Sequence, residues 1–179
     1  LGAVFTEEQV TGVEREGDRY VVKCAGHDYQ TRTVILASGA SHRKLGVPGE
    51  EELTGKGVSY CATCDGAFFR NKTAAVVGGG DVAVEDAIFL ARMCEKVYVV
   101  HRRDELRAAK SLQEKLLSLS NVEMVWNTTV EQINGTDTVE SLTVKNKITG
   151  RQDTLETNGV FIAVGITPCS EAFRGLAEQ

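Results

Sequence analysis

The sequence is poor in the residues that mark several broad classes of protein. It holds 2 Pro and 1 Trp in 179 residues, and aromatic side chains make up only 6%. So little proline excludes collagen-like chains and proline-rich linkers. No apolar run approaches the ~18 residues of a membrane-spanning helix, so a soluble chain with no membrane partner is expected. Basic residues are not in excess. The formal net charge is −5, the wrong sign for general nucleic-acid binding through phosphate neutralisation. The chain opens on Leu1 rather than Met, with no charged and then apolar leader of the secretory kind, and the expected compartment is the cytoplasm.

What is present is an ordinary globular composition, 42% hydrophobic and 25% charged, with 18 Gly. The five cysteines are Cys24, Cys61, Cys64, Cys94 and Cys169. An odd count at irregular spacing does not make a secreted disulfide framework. Zinc would need two further ligands near Cys61 and Cys64, and His27, His42 and His101 are scattered, so no metal site is expected. Cys24 and Cys94 read as small buried hydrophobes, and Cys169 has no identifiable partner. Only Cys61-Ala-Thr-Cys64 has a spacing that carries chemistry: two intervening residues let the sulfurs meet in a small redox disulfide. Asp65 follows directly, placed to relay protons during thiol–disulfide exchange, a role compatible with capping a helix.

Hydrophobic patterning predicts strands over 19–24 and 28–38 with a turn at Gly26-His27, then a Gly/Pro-rich and acidic stretch over 41–57 that marks a loop or domain boundary. From Thr73 a continuous apolar strand runs to Val77, followed by Gly78-Gly79-Gly80. Ala83, Ala87, Leu90, Ala91 and Cys94 then repeat at helical spacing. A second buried strand covers 96–100, and a second helix is predicted over 104–118 with Ala109, Leu112, Leu116 and Leu119 on one stripe. Strand 122–126, a hairpin of 139–145 with 151–157, and a last buried strand 160–164 complete the pattern. Strand, glycine turn, helix, strand, helix, strand is the βαβαβ half of a doubly wound, Rossmann-like α/β sheet.

Gly78-Gly79-Gly80-Asp81-Val82-Ala83 fits G-x-G-x-x-A. The first glycine makes the tight turn, the second lets a pyrophosphate approach the backbone, and Ala83 keeps the helix close to the sheet. The helix N-terminus offers free N–H groups to the phosphates. At the end of the next strand an NAD site would carry a carboxylate for the ribose hydroxyls. Here stand His101, Arg102 and Arg103, with Arg107 a helical turn on. Guanidinium groups bind a 2′-phosphate bidentately, and a basic helix start would oppose the helix dipole unless an anion compensates it. NADP(H) is therefore expected. A hydride donor and a dithiol normally need a flavin between them.

Cys61-Ala-Thr-Cys64-Asp65-Gly66, Gly78-Gly-Gly80 and His101-Arg-Arg103 with Arg107 closely resemble the bacterial-type, low-molecular-weight thioredoxin reductases over nearly the whole chain. The resemblance implies an NADPH-dependent flavoprotein oxidoreductase that passes electrons through FAD to the dithiol and on to thioredoxin, in a homodimer. It implies that Cys64 faces the flavin, Cys61 attacks the thioredoxin disulfide, and Asp65 is the acid–base. Arg102 and Arg107, helped by His101 and Arg103, would hold the 2′-phosphate. It further implies an NADPH domain over 44–164 inserted into an FAD domain represented by 1–43 and 165–179, with Ala37 and Gly39 in the strand and turn that contribute to FAD binding. Val82 stands where the family commonly carries Ser or Thr, and Cys169 where it has Asn. No second glycine fingerprint precedes residue 34, and the C-terminal flavin-contacting Gly-Asp segment is missing. The FAD site is thus expected to be incomplete, Leu1 to be a cut end, and the chain by itself to be an NADPH-binding module without turnover. The dithiol of a related disulfide reductase could also serve another redox partner.

Overall fold

The computed structural model describes residues 2–176, so Leu1 lies outside the described residues. Contacts divide the chain into two units, one made of residues up to 41 and from 166 onward, the other of residues 42–165.

In the first unit, β1 (Val10–Glu16), β2 (Arg19–Cys24) and β3 (Tyr29–Thr31) form an antiparallel meander in that order. Gly17 turns the chain between β1 and β2 at φ +64°, a conformation that favours glycine. The strand expected over 28–38 is much shorter than its apolar content suggests. Residues 34–38 form no strand, and Ile35 is 92% exposed. Apolar character alone does not make a strand; a hydrogen-bonded neighbour is needed, and no described segment ladders with these residues. The chain then enters β4 (Ala40–His42).

The second unit contains β5 (Val58–Ser59), α1 (Ala62–Asp65) with a 3-10 turn over Gly66–Phe69, β6 (Thr73–Gly78), α2 (Asp81–Ala91), β7 (Lys96–Val100), α3 (Lys110–Leu117) and β8 (Val122–Val125). It continues through β9 (Thr128–Gly135), β10 (Val139–Asn146), β11 (Gln152–Glu156) and β12 (Gly159–Ala163). The chain then returns to the first unit, where β13 (Ile166–Pro168) pairs with β4. Five strands of the second unit form a parallel sheet in the order β5-β12-β6-β7-β8.

Side chains alternate across a strand, and here the alternation builds two cores. Ala74, Val76, Val97, Val99 and Phe161 face α2 and α3, packing with Ala83, Ala87, Leu90 and Leu116. Ala75, Val77, Val100, Val160 and Ile162 face the other way, packing with Val130, Ile133, Leu142 and Val144. The second face of the parallel sheet is thus covered by the antiparallel sheet β11-β10-β9 rather than by helices. β10 and β11 form the predicted hairpin. β9 carries no comparable sequence signal, because Thr128–Gly135 is mostly polar and buries only Thr128, Val130 and Ile133.

The second helix also differs from its prediction: it starts at Lys110, and residues 101–109 are a loop. Leu106 and Ala108, two residues apart, are both buried in the core. That spacing belongs to an extended segment, since helical neighbours two apart face different directions. The arginines therefore lie on a loop, and the helix-dipole argument for an anion at this point has no helix to act through.

Asp86 is half-buried on α2, and burial, aided by Glu85, pushes its carboxyl up to about 6 from an ordinary 3.8. A folded-state value raised above the unfolded one gives stability that is complete below about pH 4 and is lost as pH rises through 6. Asp86→Asn is therefore expected to stabilise the fold at pH 7 and to leave it unchanged at pH 4. The gain, discounted for the solvent that reaches this side chain, is on the order of 2 kcal/mol. Thermal unfolding at the two pH values checks this; equal gains at both would contradict it.

Candidate functional site

The glycine turn grows out of the buried strand β6. At Gly78 a Cβ would run into the Ala163 carbonyl and the Ala83 methyl, and at Gly79 it would enter the His101 imidazole. Ala83 is fully buried, so the helix lies as close to the sheet as the sequence suggests. Gly80 is the N-cap of α2 and makes no side-chain cap hydrogen bond, which leaves N–H groups of the first turn without side-chain acceptors. Val82 faces outward, 64% exposed.

Two hydrogen bonds tie the basic loop to this turn. The Arg107 N–H donates to the Gly79 carbonyl at 2.7 Å, and the Ala109 N–H donates to Asp81 Oδ1 at 2.8 Å. Asp81 is thus a fastener of the loop. The result is a cleft of about 390 Å³ that brings together Gly78, Gly79, His101, Arg102 and Arg107. Arg103 is not part of its lining; its carbonyl accepts the Asn127 N–H at 3.0 Å. Arg43, Lys44, Thr128 and Thr129 also line the cleft. No sequence signal marks these four, since they stand in no local motif and only the fold gathers them.

His101 is 5% exposed and packs edge-on to Trp126 at 6.3 Å between ring centroids. Burial lowers its pKa, with Arg107 and Arg102 acting in the same direction and hydrogen bonding to the Glu105 and Gly78 backbone opposing. Its Nε2 is buried with no hydrogen-bond partner, and such atoms in folded proteins are usually satisfied. An orphaned imidazole nitrogen, a cradle that a Cβ would fill and two exposed arginines could together hold a phosphorylated dinucleotide. The first unit differs. Ala37 and Gly39 are exposed, and a Cβ added to Gly39, at φ +72°, would meet no atom within 4 Å. These residues alone do not enclose a flavin.

The dithiol sits where β5 runs into α1. Cys61 and Cys64 are joined as a disulfide. Cys61 is the N-cap of α1, and its Sγ accepts the Cys64 N–H at 3.3 Å. Ala62, between them in sequence, is 1% exposed and plugs the segment into the helical core. Cys64 is exposed, whereas Cys61 is half-buried. Asp65 does not cap the helix; its Oδ2 accepts the Ser59 hydroxyl at 2.6 Å. Ser59 and Asp65 open onto a cleft of about 320 Å³ beside Lys72 and Phe68, a residue that is 73% exposed.

The preceding loop is held by a buried carboxylate. Glu50, 1% exposed, accepts the Leu45 and Gly46 N–H groups at 3.0 and 2.7 Å and the Tyr60 hydroxyl at 2.7 Å. Burial and that bond push the Tyr60 phenol up to about 12. Three donors on one carboxylate compensate its desolvation. Of the remaining cysteines, Cys94 is buried, Cys24 half-buried and Cys169 exposed. Among the described residues no group of three side chains has metal-binding geometry, and no helix is long and apolar enough to cross a membrane.

A parallel α/β sheet with a glycine turn and a neighbouring Cys61–Cys64 disulfide defines the class of fold, and comparison gives the family. The sequence matches pyridine nucleotide-disulphide oxidoreductases over residues 3–178, and the chain belongs to that family. It is 46% identical over 181 residues to a thioredoxin reductase of Peptoclostridium acidaminophilum, covering 98% of this chain and 58% of that protein. It is 47% identical over 163 residues to thioredoxin reductase of Bacillus subtilis, covering 90% of this chain and 52% of that protein. The crystal structure of Lactococcus lactis thioredoxin reductase superposes with a TM-score of 0.84 at 42% identity, covering 92% of this chain and 55% of that one. The chain therefore spans a little over half the length of the relatives it matches.

Proposed function

We propose that this chain is the dinucleotide-binding and dithiol-bearing part of a thioredoxin-disulfide reductase that uses NADPH. One observation carries the reading: a single unit of the fold holds both a glycine turn fastened to a loop that bears two exposed arginines and a disulfide with a carboxylate beside it. Bound NADPH supplies a hydride, equivalent to the two electrons that turn one disulfide into two thiols. The turn at Gly78, Gly79 and Gly80, with the start of α2 at Asp81, Val82 and Ala83, receives the pyrophosphate. Arg102 and Arg107 clamp the 2′-phosphate, His101 supplies the wall under the turn, and Arg103 adds charge at the loop.

Once Cys61 and Cys64 are reduced, one thiolate attacks the disulfide of thioredoxin. Asp65 takes the proton of the attacking thiol, a bond forms to one partner sulfur as the partner S–S bond breaks, and the leaving thiolate takes that proton from Asp65. The second cysteine then attacks the mixed disulfide, re-forming Cys61–Cys64 and releasing dithiol thioredoxin. The family implies FAD as a second cofactor. For these 179 residues alone, the exposed Ala37 and Gly39 favour a second reading, an NADPH-binding module without turnover.

The nucleotide assignment is tested by replacing Arg102 and Arg107 together with Ala. NADPH affinity is expected to fall about 100-fold, the loss of two charge-assisted contacts, while NADH affinity changes less than about threefold. Isothermal titration with both nucleotides reads this, and equal weakening of the two would overturn the assignment. A flavin absorbance scan of the same purified chain separates the two readings: stoichiometric tight FAD would exclude the module.

A further inference from the structure

We infer that Ser59 is a positioning residue for dithiol exchange, acting through Asp65; the inference rests on the proposed dithiol function. Ser59 is the last residue of β5 and 6% exposed, buried where the parallel sheet delivers the chain to Cys61. Its hydroxyl oxygen accepts the Cys61 N–H at 3.0 Å. Its single proton has two acceptors within reach, the Asp65 carboxylate at 2.6 Å and the Cys61 carbonyl at 3.3 Å. The shorter contact, to a group that carries charge, is the stronger.

Cys61 N–H, Ser59 O–H and Asp65 Oδ2 thus form a chain of two hydrogen bonds running from the backbone of one redox cysteine to the carboxylate. Each bond polarises the other. The arrangement fixes two things at once. It sets the Asp65 rotamer, and it commits Oδ2 to the protein interior. Oδ1 makes no hydrogen bond among the described residues, so it is the oxygen left to give or take a proton. Asp65 and Ser59 line the cleft beside exposed Phe68, while Cys61 and Cys64 lie outside that lining. Without the hydroxyl, the carboxylate is free to rotate and to turn either oxygen toward the cleft or toward solvent.

Nothing in the local sequence announces this. A serine before a Cys-x-x-Cys motif has no recognised signature, and its importance follows from β5 being only Val58–Ser59, so that strand end, N-cap and carboxylate lie within seven residues. Ser59 touches no reacting sulfur in this arrangement, which is why it positions rather than reacts.

The test uses the chain reduced with dithiothreitol and desalted, so neither nucleotide nor flavin enters. Exchange is followed with oxidised thioredoxin and, separately, with an aromatic disulfide whose released thiol is coloured. Ser59→Ala is expected to slow exchange with thioredoxin about tenfold, the scale of one hydrogen bond to a charged group. Ser59→Thr keeps the hydroxyl and is expected to stay within about threefold of the parent. In an Asp65→Asn background, Ser59→Ala is expected to add less than about twofold, because the residue acts through the carboxylate. An unchanged rate in Ser59→Ala, or an undiminished tenfold loss on top of Asp65→Asn, would overturn the inference. The cycle also covers the case in which the threonine methyl does not fit the buried site, since it needs only the alanine and asparagine variants. If the parent chain exchanges with the aromatic disulfide but not with thioredoxin, the partner reading fails, and the same cycle run on the aromatic disulfide still decides the role of Ser59.

Discussion

On the proposed reductase function, Cys61→Ser and Cys64→Ser are each expected to lower NADPH-driven turnover with thioredoxin by at least ~10³-fold while leaving NADPH affinity unchanged. A dithiol carries two electrons and gives them up when its two thiols close to a disulfide, whereas a lone thiol can only form a mixed disulfide that nothing in this chain resolves. NADPH binding survives because the cleft is built from the glycine turn, the basic loop and β9, none of which includes Cys61 or Cys64. The two variants should differ in one respect. The family resemblance has Cys61 attacking the partner, so Cys64→Ser, which keeps Cys61, is expected to trap a thioredoxin that lacks its own resolving cysteine faster than Cys61→Ser does. Mass spectrometry of the trapped adducts distinguishes them, and residual turnover above a tenth of the parent in either variant would remove the dithiol from the mechanism.

The second large effect is expected at Gly79. A methyl at this position would fall inside the His101 ring. The ring cannot yield easily, because it is buried and set against Trp126. Gly79→Ala must therefore displace the turn, at a cost of about 1–3 kcal/mol for overpacking. The turn does not move alone, since the Gly79 carbonyl holds the Arg107 N–H. NADPH affinity is expected to fall about 100-fold or more, as both the phosphate cradle and the arginines shift. In a double variant with His101→Ala the space is vacated, and most of the stability loss is expected to return. A Gly79→Ala chain that melts and binds NADPH like the parent would show that the close approach of turn and imidazole is not what the glycine is for.

The parts of this molecule that can be read from sequence are those encoded by contiguous pattern. Thr73–Gly78 is apolar at every interior position, the texture of a strand covered on both faces, and the glycine turn that follows marks its end. The glycine turn and the cysteine pair are local because phosphate approach and disulfide closure are themselves local requirements. The parts that stay hidden depend on long-range neighbours. Ile35 and Leu36 have the character of a strand, but strand formation is decided by a ladder partner that sequence cannot supply. Residues 101–109 suit a helix by composition, but burial of Leu106 and Ala108 against the sheet overrides that preference, and the hydrogen bonds to Gly79 and Asp81 hold the result. Arg43, Thr128 and Thr129 reach the cleft from segments dozens of residues away. Ser59 is hidden for a different reason: its partner is six residues away, yet the contact exists only because a two-residue strand ends there.

The basic loop separates two properties that most binding sites mix. Its backbone is pinned by Gly79 and Asp81, and its buried anchors are Leu106 and Ala108, while Arg102 and Arg107 project as exposed side chains that support no core. On the proposed nucleotide assignment, coenzyme choice would drift, or be redesigned, through those two side chains with little penalty in folding. The glycine turn has no such latitude, so the ability to bind a dinucleotide at all should outlast any change in which dinucleotide is preferred.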